Sequence, residues 1–196
     1  MMTTQQKILS DANKYVMPAV DDYLAARCLL LNNIFVGLTL GHEAIEKLMK
    51  ALLILEEVEF PQKCHELPTL TKLLAGKDSI KYKFLSSNRK FMDRLDKHYA
   101  WRYYDGDIKK RSKTKSPTEL HPIDSVWIKL HECYMDFLPK NYKFGTYLIS
   151  YLFTPGIREH TNWPQFLLMD NRALKGSVSD WKKGFIKLMS ARDASR

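Results

Sequence analysis

The sequence predicts an all-α fold, and three observations carry that expectation. Leu24, Cys28, Leu31, Phe35, Leu38, His42, Ile45, Met49 and Leu52 recur at every third or fourth position, the spacing of one helix face. No period-two alternation persists anywhere, so no strand is expected, and no internal repeat is visible. Turn and breaker residues such as Asn32-Asn33, Phe60-Pro61 and Pro139 then cut the chain into helix-sized lengths.

The spacing predicts a first helix over residues 21–31, with Asp21 and Asp22 in its opening turn, where carboxylates complement the helix dipole, and Pro18 marking its approach. Asn32-Asn33 is a turn signal, so a second helix is expected from about Ile34 to Glu57, antiparallel to the first; an unbroken helix is the competing reading. Gly37, Gly41, Ala44 and Ala51 form a small-residue stripe beside the large apolar one and let another helix approach closely. A short third helix covers Leu67 to Leu74, with Pro68 tolerated in its first turn. Phe84, Phe91, Leu95 and Tyr99 suggest a fourth helix from Ile80 to Tyr99. A fifth is expected after Pro122, striped by Val126, Leu130, Cys133, Tyr134 and Phe137 and stopped by Pro139. Beyond Asn141, short helices are expected at Tyr147–Phe153 and Ser179–Ala191, joined by an irregular segment.

A chain of 196 residues is long enough to bury a core without disulfides or metals. Cys28, Cys64 and Cys133 are odd in number and contain no C-x-x-C pair, which favours a reducing compartment, with the cytoplasm as the default. No signal-peptide pattern opens the sequence, and the longest apolar stretch, 28–40, is too short to span a bilayer. The net charge of +9 is uneven: residues 1–60 carry 5 basic and 8 acidic side chains, residues 61–120 carry 15 and 7, and the remainder 11 and 7. A basic centre favours polyanions such as RNA, DNA or nucleotide phosphates, although lysine-rich solvated faces are also common. Its densest part, Lys109-Lys110-Arg111-Ser112-Lys113-Thr114-Lys115, lies in an expected exposed loop over 106–117.

Four motifs in order resemble the HEPN domains, a family of helical bundles. They are Asp22-x-x-x-Ala26-Arg27-x-Leu29-Leu30, then His42-x-Ala44-x-Glu46-Lys47-x-x-Lys50-Ala51-Leu52-Leu53, then Pro61-x-Lys63-x-His65-x-Leu67 with Leu70, and finally Tyr99-x-x-Arg102-Tyr103-Tyr104-Asp105. The last is similar to a family Tyr-x-x-Arg-Tyr-Pro-Asp, with Tyr104 in place of the proline. The resemblance covers about residues 20–138. It implies an antiparallel four- to five-helix HEPN-like bundle over 1–139, with 140–196 as an α-helical C-terminal extension packed on it.

Many members of that family resemble metal-independent endoribonucleases, with a signature Arg and His separated by four to six residues; here Arg94 precedes His98 with three intervening, and Arg111 precedes His121 with nine. The chemistry needs a cation at the scissile phosphate and an imidazole near the attacking or leaving oxygen. The nearest substitute is His98 with Arg102, four apart and so on one helix face, in reversed order. That pair could carry catalysis or hold a phosphate, or Arg102 could serve structurally by pairing with Asp105 or Glu46. His42 is read as a core residue bonded to a backbone carbonyl, with a water-excluded base as the other reading. Glu46 and Lys50 form an i,i+4 pair expected at the surface, and Lys47 beside Arg102 would make a phosphate clamp.

The ligand-binding candidates are therefore Glu46, Lys47, Lys50, Arg102, Tyr103, Asp105, Lys109, Lys110 and Arg111, with His98 and Arg102 as the catalytic candidates. Trp101, Tyr103 and Tyr104 could stack bases or belong to the core. Cys64-His65 and His131-x-Cys133 lack zinc-finger spacing, so neither a metal nor a cofactor is expected. Trp163 to Asn171 is too apolar to face water and packs across the bundle or covers a partner. The family implies a homodimer, for which Leu29, Ile34 and Phe144 are candidate contacts. The expected function is nucleotide or RNA binding without ribonuclease activity. Two alternatives are a metal-independent endoribonuclease acting as a toxin or defence effector, as in toxin-antitoxin pairs, and a partner of a minimal nucleotidyltransferase.

Overall fold

A computed structural model describes residues 2–100, 117–140, 142–143, 145–154, 163–174 and 177–193. Among these the chain forms α-helices and no strand. The first, α1, spans Thr4–Leu31 and is far longer than the 21–31 expected. At about 1.5 Å per residue it runs roughly 42 Å. It begins in a capping box, with the Thr3 hydroxyl accepting from the Gln6 N–H and the Gln6 side chain accepting from the Thr3 N–H. Pro18 lies inside it because Ala12, Val16, Ala19, Val20 and Tyr23 bury one continuous stripe on both sides of the proline. Asp21 and Asp22 are consequently mid-helix residues with tertiary partners: Asp22 binds Lys47, and Asp21 accepts from the Tyr151 hydroxyl at 3.3 Å.

Asn33, at φ 59°, turns the chain into α2, Val36–Leu55. The hairpin is antiparallel, with Gly37 against Leu30 and Lys47 against Asp22. The small-residue stripe works as expected. A Cβ on Gly37 would lie 2.8 Å from Leu30 Cγ and 2.9 Å from the Ala26 carbonyl oxygen, and one on Gly41 would lie 2.8 Å from Ile123 Cδ1.

Helix α3, Leu67–Lys77, carries Pro68 in its first turn and buries Leu67, Leu70 and Leu74. The single helix expected over 80–99 is two, α4 at Lys83–Ser87 and α5 at Arg89–Ala100. Side-chain competition explains the difference. Asp78 accepts from the N–H groups of Ile80 and Lys81 and makes that stretch a turn, while the Asn88 amide donates to the Phe84 carbonyl at 2.8 Å and ends α4.

Helix α6, Pro117–Met135, begins five residues before Pro122, which sits inside it, and ends before Pro139. It lies against α2 through Ile123 and stacks Trp127 on Tyr23, ring centroids 4.1 Å apart. Helix α7, Tyr147–Phe153, has the bounds expected and is capped by Thr146. The segment expected to be irregular contains α8, Trp163–Leu168, and a short 3-10 turn at Arg172–Leu174; α9, Val178–Asp193, follows. No helix of the described residues is long and apolar enough to cross a membrane.

A buried polar knot joins α8 to α1 and α6. Arg27, fully buried, bonds the Asp124 carboxylate and donates to the carbonyls of Phe166, at 2.9 Å, and Met169. Tyr23 donates to Asp124 at 2.7 Å, and the Asn171 amide donates to Tyr23 at 3.0 Å. Burial raises the Asp124 carboxyl, with Arg27 opposing it. Trp163 to Asn171 thus packs across the bundle, anchored by Leu167 and Asn171, while Leu168 and Met169 remain exposed.

Candidate functional site

His42, Glu46 and Lys50 occupy successive turns of α2 and form a polar ladder within its buried side. The Glu46–Lys50 pair expected at the surface is inside: the two residues are 5% and 3% exposed. Lys50 Nζ donates to Glu46 Oε1 at 2.8 Å and to the Gln62 carbonyl at 3.2 Å. Such a pair is stable only if its remaining lone pairs and protons find partners, and the α2–α3 loop supplies a second beside the Gln62 carbonyl. His65 Nδ1 lies 3.1 Å from both Glu46 carboxylate oxygens. Because a carboxylate only accepts, that ring nitrogen carries a hydrogen.

His42 is a buried residue, as expected, but its partner is a carboxylate rather than a backbone carbonyl. Its Nε2 donates to Asp96 Oδ1 at 2.7 Å, and its ring stacks on Tyr99 at 4.1 Å. Nδ1 faces Glu46 Oε2 at 3.8 Å, beyond hydrogen-bond reach. Asp96 Oδ1 also accepts from the Leu67 N–H at 3.1 Å, so one carboxylate of α5 caps α3 and orients a histidine of α2. The ladder therefore fixes the relative placement of α2, α3 and α5.

Lys47 projects from another side of α2 and binds the Asp22 carboxylate, with Glu43 at 3.6 Å. Burial raises the Asp22 carboxyl, with the Lys47 bond opposing it. Both lysines of the expected α2 site are thus engaged by carboxylates of the chain itself, and they point to different neighbours. His98 is partly buried near the C-terminal end of α5; burial lowers its imidazole, Arg94 adds to that and Glu119 opposes it. Arg102, Tyr103, Asp105, Lys109, Lys110 and Arg111 lie outside the described residues.

Lys63, Lys72, Lys77, Lys83, Arg89, Lys90 and Lys97 are all exposed, and none makes an ion pair among the described residues. Two other cations of this stretch are paired, Lys81 with Glu56 at 2.8 Å and Arg94 with Glu119 at 3.1 Å. The seven without ion pairs lie on α3, α4, α5 and the loop before them. By contrast, the open cleft of about 350 Å³ between α1 and residues 134–150 has no charged side chain in its lining. No group of three or more His, Cys, Asp or Glu among the described residues could hold a metal ion.

Sequence reasoning missed His65 as a partner of Glu46 and Asp96 as a partner of His42. The available signal was the ladder itself, because three polar residues on a buried helix side require partners from elsewhere.

The hairpin of α1 and α2, closed by α3, α5 and α6, defines an all-α helical bundle. Residues 24–119 match the HEPN domain, and the chain carries that domain over this stretch. Comparison with curated proteins gives no match, and comparison with solved structures gives none. The domain marks a helical protein related to nucleotides or RNA.

Proposed function

We propose that the chain binds RNA or a nucleotide through its phosphates and does not cleave RNA. The observation that carries this reading is the set of seven exposed cations between Lys63 and Lys97 without ion pairs among the described residues, followed in sequence by the basic run Lys109 to Lys115. Unpaired cations gain from a polyanion because each neutralised phosphate releases condensed counterions. Lys47 and Lys50 already hold Asp22 and Glu46, so they act here as supports of the bundle rather than as phosphate ligands. The family's Arg–His spacing is missing from the sequence, which supports binding without turnover.

Fluorescence anisotropy with a labelled single-stranded RNA across a salt series tests the reading. Affinity should fall steeply with salt. Replacing Lys90 and Lys97 by alanine, or neutralising Lys109, Lys110 and Arg111, should reduce the logarithmic slope by about 0.7 for each phosphate that the variant no longer neutralises. The RNA should remain intact on prolonged incubation in EDTA. A salt-independent affinity, or none, would remove the proposal, and RNA cleavage that disappears with His98→Ala would replace it by the nuclease reading.

A further inference from the structure

His65 is an exposed loop histidine whose ring is nevertheless fixed by a buried carboxylate. Its side chain is 53% exposed, while Glu46, bonded to its Nδ1 at 3.1 Å through both oxygens, is 6% exposed. With one hydrogen on the ring, donation from Nδ1 leaves the lone pair on Nε2, which has no hydrogen-bond partner among the described residues. Lys50 lies against the same carboxylate at 2.8 Å and balances its charge. In that tautomer the loop offers a ligand an acceptor of fixed direction.

That chemistry discriminates between ligand groups. A phosphate oxygen is itself an acceptor and cannot pair with a lone pair, whereas a hydroxyl can donate to it. Lys63, exposed and without an ion pair among the described residues, stands two residues earlier on the same loop and suits a phosphate. A cation and a hydroxyl acceptor two residues apart on one exposed loop suit a nucleotide that carries a ribose 2′-hydroxyl. We infer that His65 is the residue that distinguishes RNA from DNA in this protein: Nε2 accepts a hydrogen bond from a ribose 2′-hydroxyl, and Glu46 is the positioning residue that fixes the ring. This inference rests on the RNA-binding reading and adds its specificity determinant.

The test uses the full chain and three single-stranded probes of one sequence: RNA, DNA and 2′-O-methyl RNA, which keeps the ribose oxygen but cannot donate. The wild-type protein should bind RNA about tenfold more tightly than either of the others, the value of one hydrogen bond. His65→Asn places an amide nitrogen where Nδ1 was, keeping the donor to Glu46, and has no atom at the Nε2 position. It should melt at the wild-type temperature and bind the three probes alike. Equal binding of the three probes by the wild-type protein overturns the inference without the use of any variant. A folded His65→Asn protein that keeps its RNA preference overturns it as well. Binding to none of the probes removes the RNA-binding reading itself, and is thereby distinguished from failure of the His65 assignment alone.

Discussion

His131 should make the stability of this bundle depend on pH, and the size of the effect follows from its surroundings. The residue is fully buried on α6, stacked on Trp127 with centroids 5.4 Å apart and tilted against Trp181 of α9 at 5.7 Å. Neither ring nitrogen has a hydrogen-bond partner among the described residues. Burial alone lowers its pKa from the ordinary 6.5 to about 3. The folded protein therefore keeps this ring neutral while the unfolded chain protonates it below about pH 6.5, so unfolding takes up a proton and stability falls as pH falls. The effect is absent above about pH 7 and is complete below about pH 3, where the gap between the two pKa values corresponds to roughly 5 kcal/mol. At about pH 5 the loss is about 2 kcal/mol relative to neutral pH. His131→Phe retains an aromatic ring between the tryptophans and removes the titration. Urea unfolding followed by far-ultraviolet circular dichroism at about pH 7 and about pH 5 should show the variant losing about 2 kcal/mol less than the wild type between the two conditions. Carboxylates titrate in both proteins and cancel in the comparison. Equal losses in wild type and variant would refute the account, because they would mean that the folded state protonates His131 as readily as the unfolded chain does.

Two further outcomes follow from the packing. Arg27→Met removes the counter-charge of a buried Asp124 and the donor to the Phe166 and Met169 carbonyls, and should cost about 3–5 kcal/mol in chemical unfolding. Arg27→Met with Asp124→Leu should be less destabilised than Arg27→Met alone, since the unpaired charge is gone; a double variant worse than the single would show that the ion pair itself holds α8. Gly37→Ala should destabilise by about 1–3 kcal/mol, because its Cβ meets the Ala26 backbone oxygen at 2.9 Å and the helix must move. Gly41→Ala should stay within about 1 kcal/mol of wild type. There the obstacle is the flexible end of Ile123, and the gain in helix propensity offsets its displacement. Thermal melts of the two variants, read together, check the difference.

The hairpin of α1 and α2 is legible in the sequence because local rules and packing agree there: an apolar stripe, an Asn-Asn turn and glycines at the crossing all specify one arrangement. The starts of α1 and α6 are not, for one shared reason. Pro18 and Pro122 each signal a helix boundary, yet proline forbids only its own N–H bond and crowds the preceding turn, and both lie inside helices whose buried faces continue past them. The break at Asn88 escapes for the opposite reason, since the apolar spacing from Phe84 to Tyr99 continues through a point where an amide side chain takes the Phe84 carbonyl.

The candidate site divides in the same way. Glu46 and Lys50 are four residues apart, so their pairing can be read from the sequence, but whether it is a surface pair or a buried one depends on side chains that arrive from 19 and 54 residues away, His65 on Glu46 and Asp96 on His42. Burial itself is nonetheless inferable. His42, Glu46 and Lys50 share a helix side with Ile45, Met49 and Leu53, all of them buried, and a polar group on such a side needs its hydrogen bonds completed from another element. An ionised carboxylate accepts at about four lone-pair sites and Lys50 fills one, so Glu46 calls for further donors on chemical grounds alone. A histidine on the loop that follows α2 can provide one while its side chain stays half exposed, and the buried ladder and the exposed ring of His65 are in that sense one device.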